Sequence, residues 1–423
     1  MPTTIRASKK LKSVTSEELI NRCAEYLPPE RVDLIQKTCD FAVWAHEGQT
    51  RLSGEPFVEH PINTALFLAN LNLDSATLQA ALLHDVIEDC DVDYDDLVRQ
   101  FGKEVSDLVN AVTKLSRLDF VTPGVESSNR DSTKRDAGAE SLRKMLVATA
   151  SDVRVVLIKL ADRLHNMNTL DVLPAKRRIA IAQETLDIYT PLAHRLGIWD
   201  LKWRLEDLSF RHLEPQRYRE ISRLLSSKRE EREQYLAKVR LVLQAELDKS
   251  GVKAEVEGRP KHLYSIYQKM QKYQSQGKEF GQIFDLFALR VLVAEVQDCY
   301  HALGVIHNLW HPLPGQFDDY IANPKDTLYQ ALHTAVRCLD GEPVEIQIRS
   351  YQMHYVAEYG VAAHWRYKSG DNQDARFEEK MTWLRQLLEW QREVRGTEEF
   401  LEGVKTDIFK DQVFVYTPKG DIK

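Results

Sequence analysis

The stretch Leu82-Leu83-His84-Asp85-Val86-Ile87-Glu88-Asp89 places four ionisable side chains in an otherwise apolar segment. Leu78, Leu82 and Val86 recur at helical spacing, and His84, Asp85, Glu88 and Asp89 pair at i and i+4 beside them. Buried carboxylates need partners, so two carboxylates and an imidazole on one helix point to a shared cation. A His-Asp doublet alone is weak, because a lone helical histidine is more often a satisfied, partly buried residue than a ligand. Two further stretches strengthen it. His60 lies in Glu55-Pro56-Phe57-Val58-Glu59-His60-Pro61, and Asp162 in Lys159-Leu160-Ala161-Asp162-Arg163-Leu164-His165-Asn166. The set His60, His84, Asp85 and Asp162 mixes nitrogen and oxygen donors. It suits a divalent ion such as manganese and leaves iron, zinc and magnesium open. Such an ion would act as a Lewis acid and lower the pKa of water, with Glu88 and Asp89 free for proton transfer.

A chain of 423 residues is too long for one core, so two or three domains are expected. The formal charge of -7 argues against coating nucleic acid by bulk electrostatics, while leaving room for polyanionic substrates where basic residues cluster. Cys23, Cys39, Cys90, Cys299 and Cys338 include no Cys-x-x-Cys pair, which fits a reducing compartment and no structural zinc. Lys9, Lys10 and Lys12 precede no apolar segment, so the reading is cytoplasmic, with no signal peptide or membrane span. Residues 29–170 read as an all-α domain. Its long irregular stretch, residues 118–138, reads as a flap beside the metal site. Arg51 and Ser53, just before His60, either reach the substrate of that metal or form a solvated turn. Residues 177–249 read as connecting and bracing helices, with the charge run at 226–233 a solvated face.

After Gly251 strands alternate with helices, which signals an α/β or α+β domain. Residues 259–270 read as a helix with Pro260 in its first turn, so that Lys261, Ser265, Lys269 and Lys272 share a face suited to polyphosphate. Residues 283–293 read as a buried strand, in which Asp285 needs a partner such as a cation. Val344-Glu345-Ile346-Gln347-Ile348-Arg349 alternates strictly, so Glu345, Gln347 and Arg349 point one way. Glu345 facing Asp285 across a sheet, with a basic helix nearby, is what a magnesium-dependent nucleotidyl or pyrophosphoryl transferase needs.

The order His, His-Asp, Asp resembles the HD superfamily of phosphohydrolases. Further residues resemble the long RelA/SpoT-type enzymes that make and degrade (p)ppGpp: Arg51-Leu52-Ser53-Gly54-Glu55-Pro56, residues 158–167, Gly258-Arg259-Pro260-Lys261, Tyr320-Ile321-Ala322-Asn323-Pro324-Lys325, Tyr329-Gln330-Ala331-Leu332-His333-Thr334, residues 345–349 and residues 353–365. The resemblance spans nearly the whole chain. It implies an HD-type hydrolase domain over residues 1–176, a helical connection over 177–249 and an α/β nucleotidyltransferase-like synthetase over 250–372. An amphipathic helix would follow over 373–404, and then, at 405–423, the first strands of a TGS domain.

By that resemblance the first domain hydrolyses ppGpp or pppGpp to GDP or GTP plus pyrophosphate. Manganese would sit on His60, His84, Asp85 and Asp162, with Glu88 and Asp89 activating water. Asn166 and Thr169 would contact the nucleotide, and Arg51, with Ser53 close by, the guanine. The second domain would move the β,γ-pyrophosphate of ATP to the 3'-hydroxyl of GDP or GTP. There Asp285 and Glu345 would hold magnesium, with Glu345 also the base. Arg259, Lys261, Ser265 and Lys269 would grip ATP, and Gln347 lies in the same motif as Glu345. Tyr329 would stack on guanine, with Lys325 and His333 on the acceptor's phosphates. A longer protein would bind the ribosome and deacylated tRNA.

The chain departs from the family pattern at Leu52 and Asn168, which replace basic residues, and at Ala331, which replaces a hydroxyl. Gln316-Phe317-Asp318-Asp319 matches neither the Arg-x-Lys-Asp of bifunctional members nor the Glu-x-Asp-Asp of synthetase-only ones. Two other readings stay open: one site serving as a nucleotide sensor, or a hydrolase-only HD protein.

Overall fold

The structure, a computed structural model, describes residues 15–116, 152–227, 229–259, 262–275, 288–325 and 329–365. The expected flap at 118–138, Lys261, Asp285, the linker helix and the C-terminal strands all lie outside the described residues. The first half is helical: α1 (Ser16–Ala24), α2 (Pro29–Ala45), α3 (Glu59–Asn70), α4 (Ser75–Leu82), α5 (Val86–Asp89), α6 (Tyr94–Ser116) and α7 (Val153–Asn168). Local chemistry starts these helices. Asp74 accepts from Thr77 N at 3.0 Å ahead of α4, and Asp152 from Arg154 N at 2.9 Å ahead of α7.

The expectation of one helix through residues 78–89 is corrected. The helix stops at Leu82 and restarts at Val86, with His84 and Asp85 in the break. The Nδ1 of His84 bonds the Ala81 carbonyl at 2.8 Å, taking the acceptor that a continuing helix would offer to the Asp85 amide. The i, i+4 pairing read across the whole stretch therefore does not hold at His84.

Helix α7 is buried on nearly every side, including Lys159, Asp162, Arg163 and His165, so these polar groups must be satisfied within the protein. Next come α8 (Ala175–Glu184), a π turn (Thr185–Tyr189), α9 (Thr190–Arg195), α10 (Trp199–Leu213), α11 (Pro215–Ser227) and α12 (Arg229–Lys249). Arg163 fastens the π turn, its guanidinium 3.9 Å from the Tyr189 ring centroid and 3.0 Å from Glu184. One apolar core runs from Leu19 through α7 and on to Leu205 in α10, and it also takes in Val361 and Ala362 from far along the chain.

The second half is built on a five-stranded sheet: β1 (Ala254–Gly258), β2 (Ala288–Val293), β3 (Pro312–Asp319), β4 (Leu332–Arg337) and β5 (Pro343–Ser350), in spatial order β1-β2-β5-β4-β3. Only β2 and β5 run parallel; the other pairs are antiparallel. Helices α13 (Leu263–Ser275), α14 (Val296–Leu309), α15 (Tyr351–Tyr359) and α16 (Ala362–Trp365) complete it. A second core joins α12, the sheet and α14 through Leu243, Val291, Ile306 and Ile346.

The expected helix over residues 259–270 also needs correction. Arg259 continues the β1 edge, its amide bonded to Ala288 O at 2.9 Å, and the helix begins only at Leu263. Its start is capped from a distance: Asp207 on α10 accepts from Tyr264 N at 2.9 Å and from Leu263 N at 3.4 Å. The chain after α15 closes on the first half. Gly360 has φ +54°, and a Cβ there would overlap the Leu196 carbonyl and the Gly197 backbone, while Val361 N donates to Leu196 O at 2.9 Å.

Candidate active sites

His60 from α3, His84 and Asp85 from the α4–α5 break, and Asp162 from α7 meet in one cluster. His60 Nε2 lies 3.2 Å from Asp162 Oδ1 and 3.5 Å from Asp85 Oδ2, and His84 Nε2 lies 3.2 Å from Asp85 Oδ1. Ligand atoms of His60, His84 and Asp162 all fall within 4.8 Å of one another. His84 Nδ1 donates to a backbone carbonyl, so Nε2 is the nitrogen that faces Asp85; that buried atom makes no hydrogen bond. Buried nitrogens and carboxylates crowded together with one of them unsatisfied are the arrangement an ion between them would complete, so the donor set fits a metal ion.

The protonation states agree with that fit. Burial pushes the His60 imidazole below its ordinary pKa, although Asp162 and Asp85 oppose this. Burial alone would raise the Asp162 carboxyl, but Lys159 and His60 outweigh it and hold the group well below the usual range. Lys159 Nζ donates to Asp162 Oδ2 at 3.0 Å. At His60 and Asp162 both shifts run toward the forms that ligate metal, a neutral imidazole and an ionised carboxylate. Glu88 and Asp89 stand on α5, exposed at the rim. The Asp89 carboxyl is raised by partial burial and by Asp85, the direction useful for proton transfer.

Arg51 and Asn166 reach this cluster. Arg51 Nη2 donates to Asn166 Oδ1 at 2.6 Å and Arg51 Nη1 to His165 Nδ1 at 3.0 Å, and Asn166 Nδ2 in turn donates to Asp162 Oδ1. Ser53 turns to Glu55 at 3.4 Å, and Thr169 caps α7 through the Asn166 carbonyl at 3.2 Å. Leu52 is 82 % exposed at the mouth beside Arg51.

On the sheet, the β2–β5 register pairs Ala288 with Glu345, Arg290 with Gln347 and Leu292 with Arg349, while β4 sets His333 opposite Gln347. Alternation therefore gathers Glu345, Gln347, Arg349, Arg290 and His333 on one face. Gln347 and Arg349 are each 2 % exposed, so this face is covered rather than solvated. Glu345 Oε1 accepts from Gln347 Nε2 at 3.2 Å and from Arg259 Nη1 at 3.3 Å. Tyr329 and His333 meet at 2.7 Å, and Lys325 lies 4.4 Å from the Tyr320 ring centroid. Burial lowers His333 to about 4, so it is neutral and the Tyr329 hydroxyl donates to it. Ser265 and Lys269 lie half-buried on α13.

Residues 38–199 match the family model described as an HD domain, and residues 258–372 the one described as a region found in RelA / SpoT proteins. The chain is 46% identical over 400 residues to a GTP pyrophosphokinase of Myxococcus xanthus, covering 95% of this chain and 51% of that protein. It is 44% identical over 423 residues to the bifunctional (p)ppGpp synthase/hydrolase RelA of Mycobacterium tuberculosis, covering 98% and 55%. The corresponding enzyme SpoT of Escherichia coli is 45% identical over 407 residues, covering 96% and 56%. The chain thus combines an HD domain with a RelA / SpoT region and is similar to RelA/SpoT-type enzymes over most of its length. It spans about half the length of the curated relatives it matches.

An HD domain is a metal-dependent hydrolase unit, and in this chain His60, His84 and Asp162 stand where an ion can be held. Among the described residues no helix is long and apolar enough to cross a membrane. Three partners were given no role in the sequence reading. Lys159 sits one helical turn before Asp162, a spacing that could have flagged it. Arg290 on β2 shares the face of Glu345, Gln347 and Arg349, opposite Gln347 in the register. Glu358 pairs with both arginines, at 3.2 Å and 3.3 Å, from α15, and no local pattern announces it.

Proposed function

We propose that the chain carries two opposed alarmone activities, one at each cluster. The helical site hydrolyses ppGpp or pppGpp to GDP or GTP and pyrophosphate. The sheet site transfers the β,γ-pyrophosphate of ATP to the 3'-hydroxyl of GDP or GTP and releases AMP. The observation that carries the first half is Nε2 of buried His84, which makes no hydrogen bond while facing Asp85 within a ready-made His60, Asp85 and Asp162 set. These four residues would hold manganese, which would supply Lewis-acid polarisation of the 3'-phosphoryl group and acidify water. Asp89 and Glu88 would take the proton from the attacking water. Arg51, Asn166 and Thr169 would seat the nucleoside, with Ser53 at the edge.

At the sheet, Glu345 would accept the proton of the attacking 3'-hydroxyl, and with Asp285 it would hold magnesium. The surroundings of Glu345 support this: Arg259 and Gln347 already donate to one carboxylate oxygen and orient the group. Arg259, Lys261, Ser265 and Lys269 would grip ATP, Tyr329 would stack on guanine, and Lys325 and His333 would meet the acceptor's phosphates. We further propose units bounded near residues 176, 249 and 372 and a cytoplasmic enzyme. In a longer form it would engage the ribosome and deacylated tRNA.

The test is direct. Incubation with ATP and GDP should yield AMP and ppGpp, and incubation with ppGpp and manganese should yield GDP and pyrophosphate. A site that binds its nucleotide without either conversion would instead be a sensor.

A further inference from the structure

His165 lies in the α7 motif but has no role in the scheme above, and its geometry is unusual. It is 8 % exposed, and its Nδ1 is approached by two groups at once: Arg51 Nη1 at 3.0 Å and His60 Nδ1 at 2.8 Å. A guanidinium has only donors, so His165 Nδ1 must be the acceptor and carry a lone pair. The His60 Nδ1 that faces the same lone pair must then carry a proton. That leaves His60 Nε2 as the nitrogen facing Asp162 and Asp85. A second arm leaves the same arginine: Arg51 Nη2 donates to Asn166, whose amide donates to Asp162. Both arms end on a residue of the metal set. Compare His84, whose Nδ1 proton is set by the fixed carbonyl of Ala81. The His60 proton is set instead by a side chain, held in turn by an arginine that belongs to the substrate mouth.

We propose that His165 is a positioning residue: together with Arg51 it orients His60 for metal binding, so that the substrate-side arginine also governs the metal. The inference rests on the metal assignment proposed above. It differs from an ordinary packing role because it specifies one nitrogen and one proton.

The test uses manganese alone, without nucleotide, and reads binding by titration calorimetry or by electron paramagnetic resonance of free Mn2+. His165→Leu removes the acceptor and should weaken manganese binding about 10- to 100-fold, the usual cost of losing a partner behind a ligand. His165→Asn, whose side-chain oxygen can occupy the Nδ1 position, should restore affinity to within a few-fold. Arg51→Leu should also weaken manganese binding, roughly tenfold, although a residue serving only the nucleotide would leave it unchanged. Unaltered affinity in His165→Leu, or equal losses in His165→Leu and His165→Asn, overturns the inference alone. If the unsubstituted chain binds no manganese at this cluster, the metal reading falls and takes the inference with it. Should the leucine variant fail to fold, long-range 1H–15N spectra of the unsubstituted metal-free protein decide, with His60 assigned by the signal lost in His60→Gln. A protonated His60 Nδ1 supports the proposal, and a proton-free Nδ1 sinks it.

Discussion

The two clusters are unsatisfied in opposite senses. In the helical site the buried atom without a hydrogen bond is an imidazole nitrogen, Nε2 of His84, set against Asp85. On the sheet the comparable atoms are N–H donors, Nε of Arg290 and Nε of Arg349. Imidazole nitrogens crowded among carboxylates suit a cation, while buried guanidinium donors suit an anion such as phosphate. The sites also differ in construction. The helical site draws its groups from three helices and a helix break within one core. The sheet site obtains its pattern from strand alternation, and a single carboxylate, Glu358, is shared between half-buried Arg290 and buried Arg349.

The largest effect should come from Asp85→Ala, which removes one ligand from the helical site alone. Alarmone hydrolysis should fall at least about a thousandfold while AMP formation from ATP and GDP persists. Product analysis by anion-exchange chromatography checks both, and retained manganese-dependent hydrolysis would refute the assignment. The mirror experiment is Glu345→Gln, expected to slow pyrophosphoryl transfer about 10²- to 10⁴-fold and spare hydrolysis. Near-normal AMP release in that variant would mean that the base lies elsewhere.

A smaller effect should appear when both sites are read together. The sheet site packs directly on the connecting helices, which share the first core: Trp199 at the start of α10 meets Tyr329 edge-on at 6.0 Å, and Trp203 stacks on His262 at 4.1 Å. ATP with GDP should therefore weaken ppGpp binding at the helical site of the Glu345→Gln variant, and ppGpp should weaken ATP binding equally. A coupling of about 1–3 kcal/mol, or roughly 5- to 150-fold, is expected from titration in both orders. Gly360→Ala tests the seam itself. A side chain there meets both a disfavoured φ and the Leu196–Gly197 backbone. The variant should lose about 1–3 kcal/mol of stability, visible as a lower thermal midpoint, and unchanged melting would show that the seam yields easily.

The smallest effect concerns pH. Burial lowers His333 to about 4 and His354 to about 3, the latter helped by Arg349 and Arg290. An unfolded histidine titrates near about 6.5, so between those values the unfolded chain binds more protons than the folded one. Their contribution is present above about pH 6.5 and is lost as pH falls toward 4. Urea midpoints of the metal-free protein should decline from pH 7 to pH 5, and His354→Gln should flatten that decline. An identical slope in the variant would remove His354 from the account.

Much was legible along the chain because it depends on short-range periodicity. The helical first half and the strand Pro343–Ser350 with its Glu345-Gln347-Arg349 face follow from spacing, while the set His60, His84, Asp85 and Asp162 was legible from side-chain type and order along the chain. What spacing could not reveal were competitions for the same acceptor or donor. Whether α4 continues past Leu82 depends on which group takes the Ala81 carbonyl, and the His84 ring wins. Whether α13 starts at Pro260 or Leu263 depends on Asp207, more than fifty residues upstream in the chain. The proton position on His60 depends on an arginine nine residues before it and a histidine more than a hundred residues after it. Hydrophobic periodicity acts within a few residues and survives in the sequence. Hydrogen-bond partnership is decided by whatever the folded core brings within about 3 Å, and only the tertiary structure makes those distances.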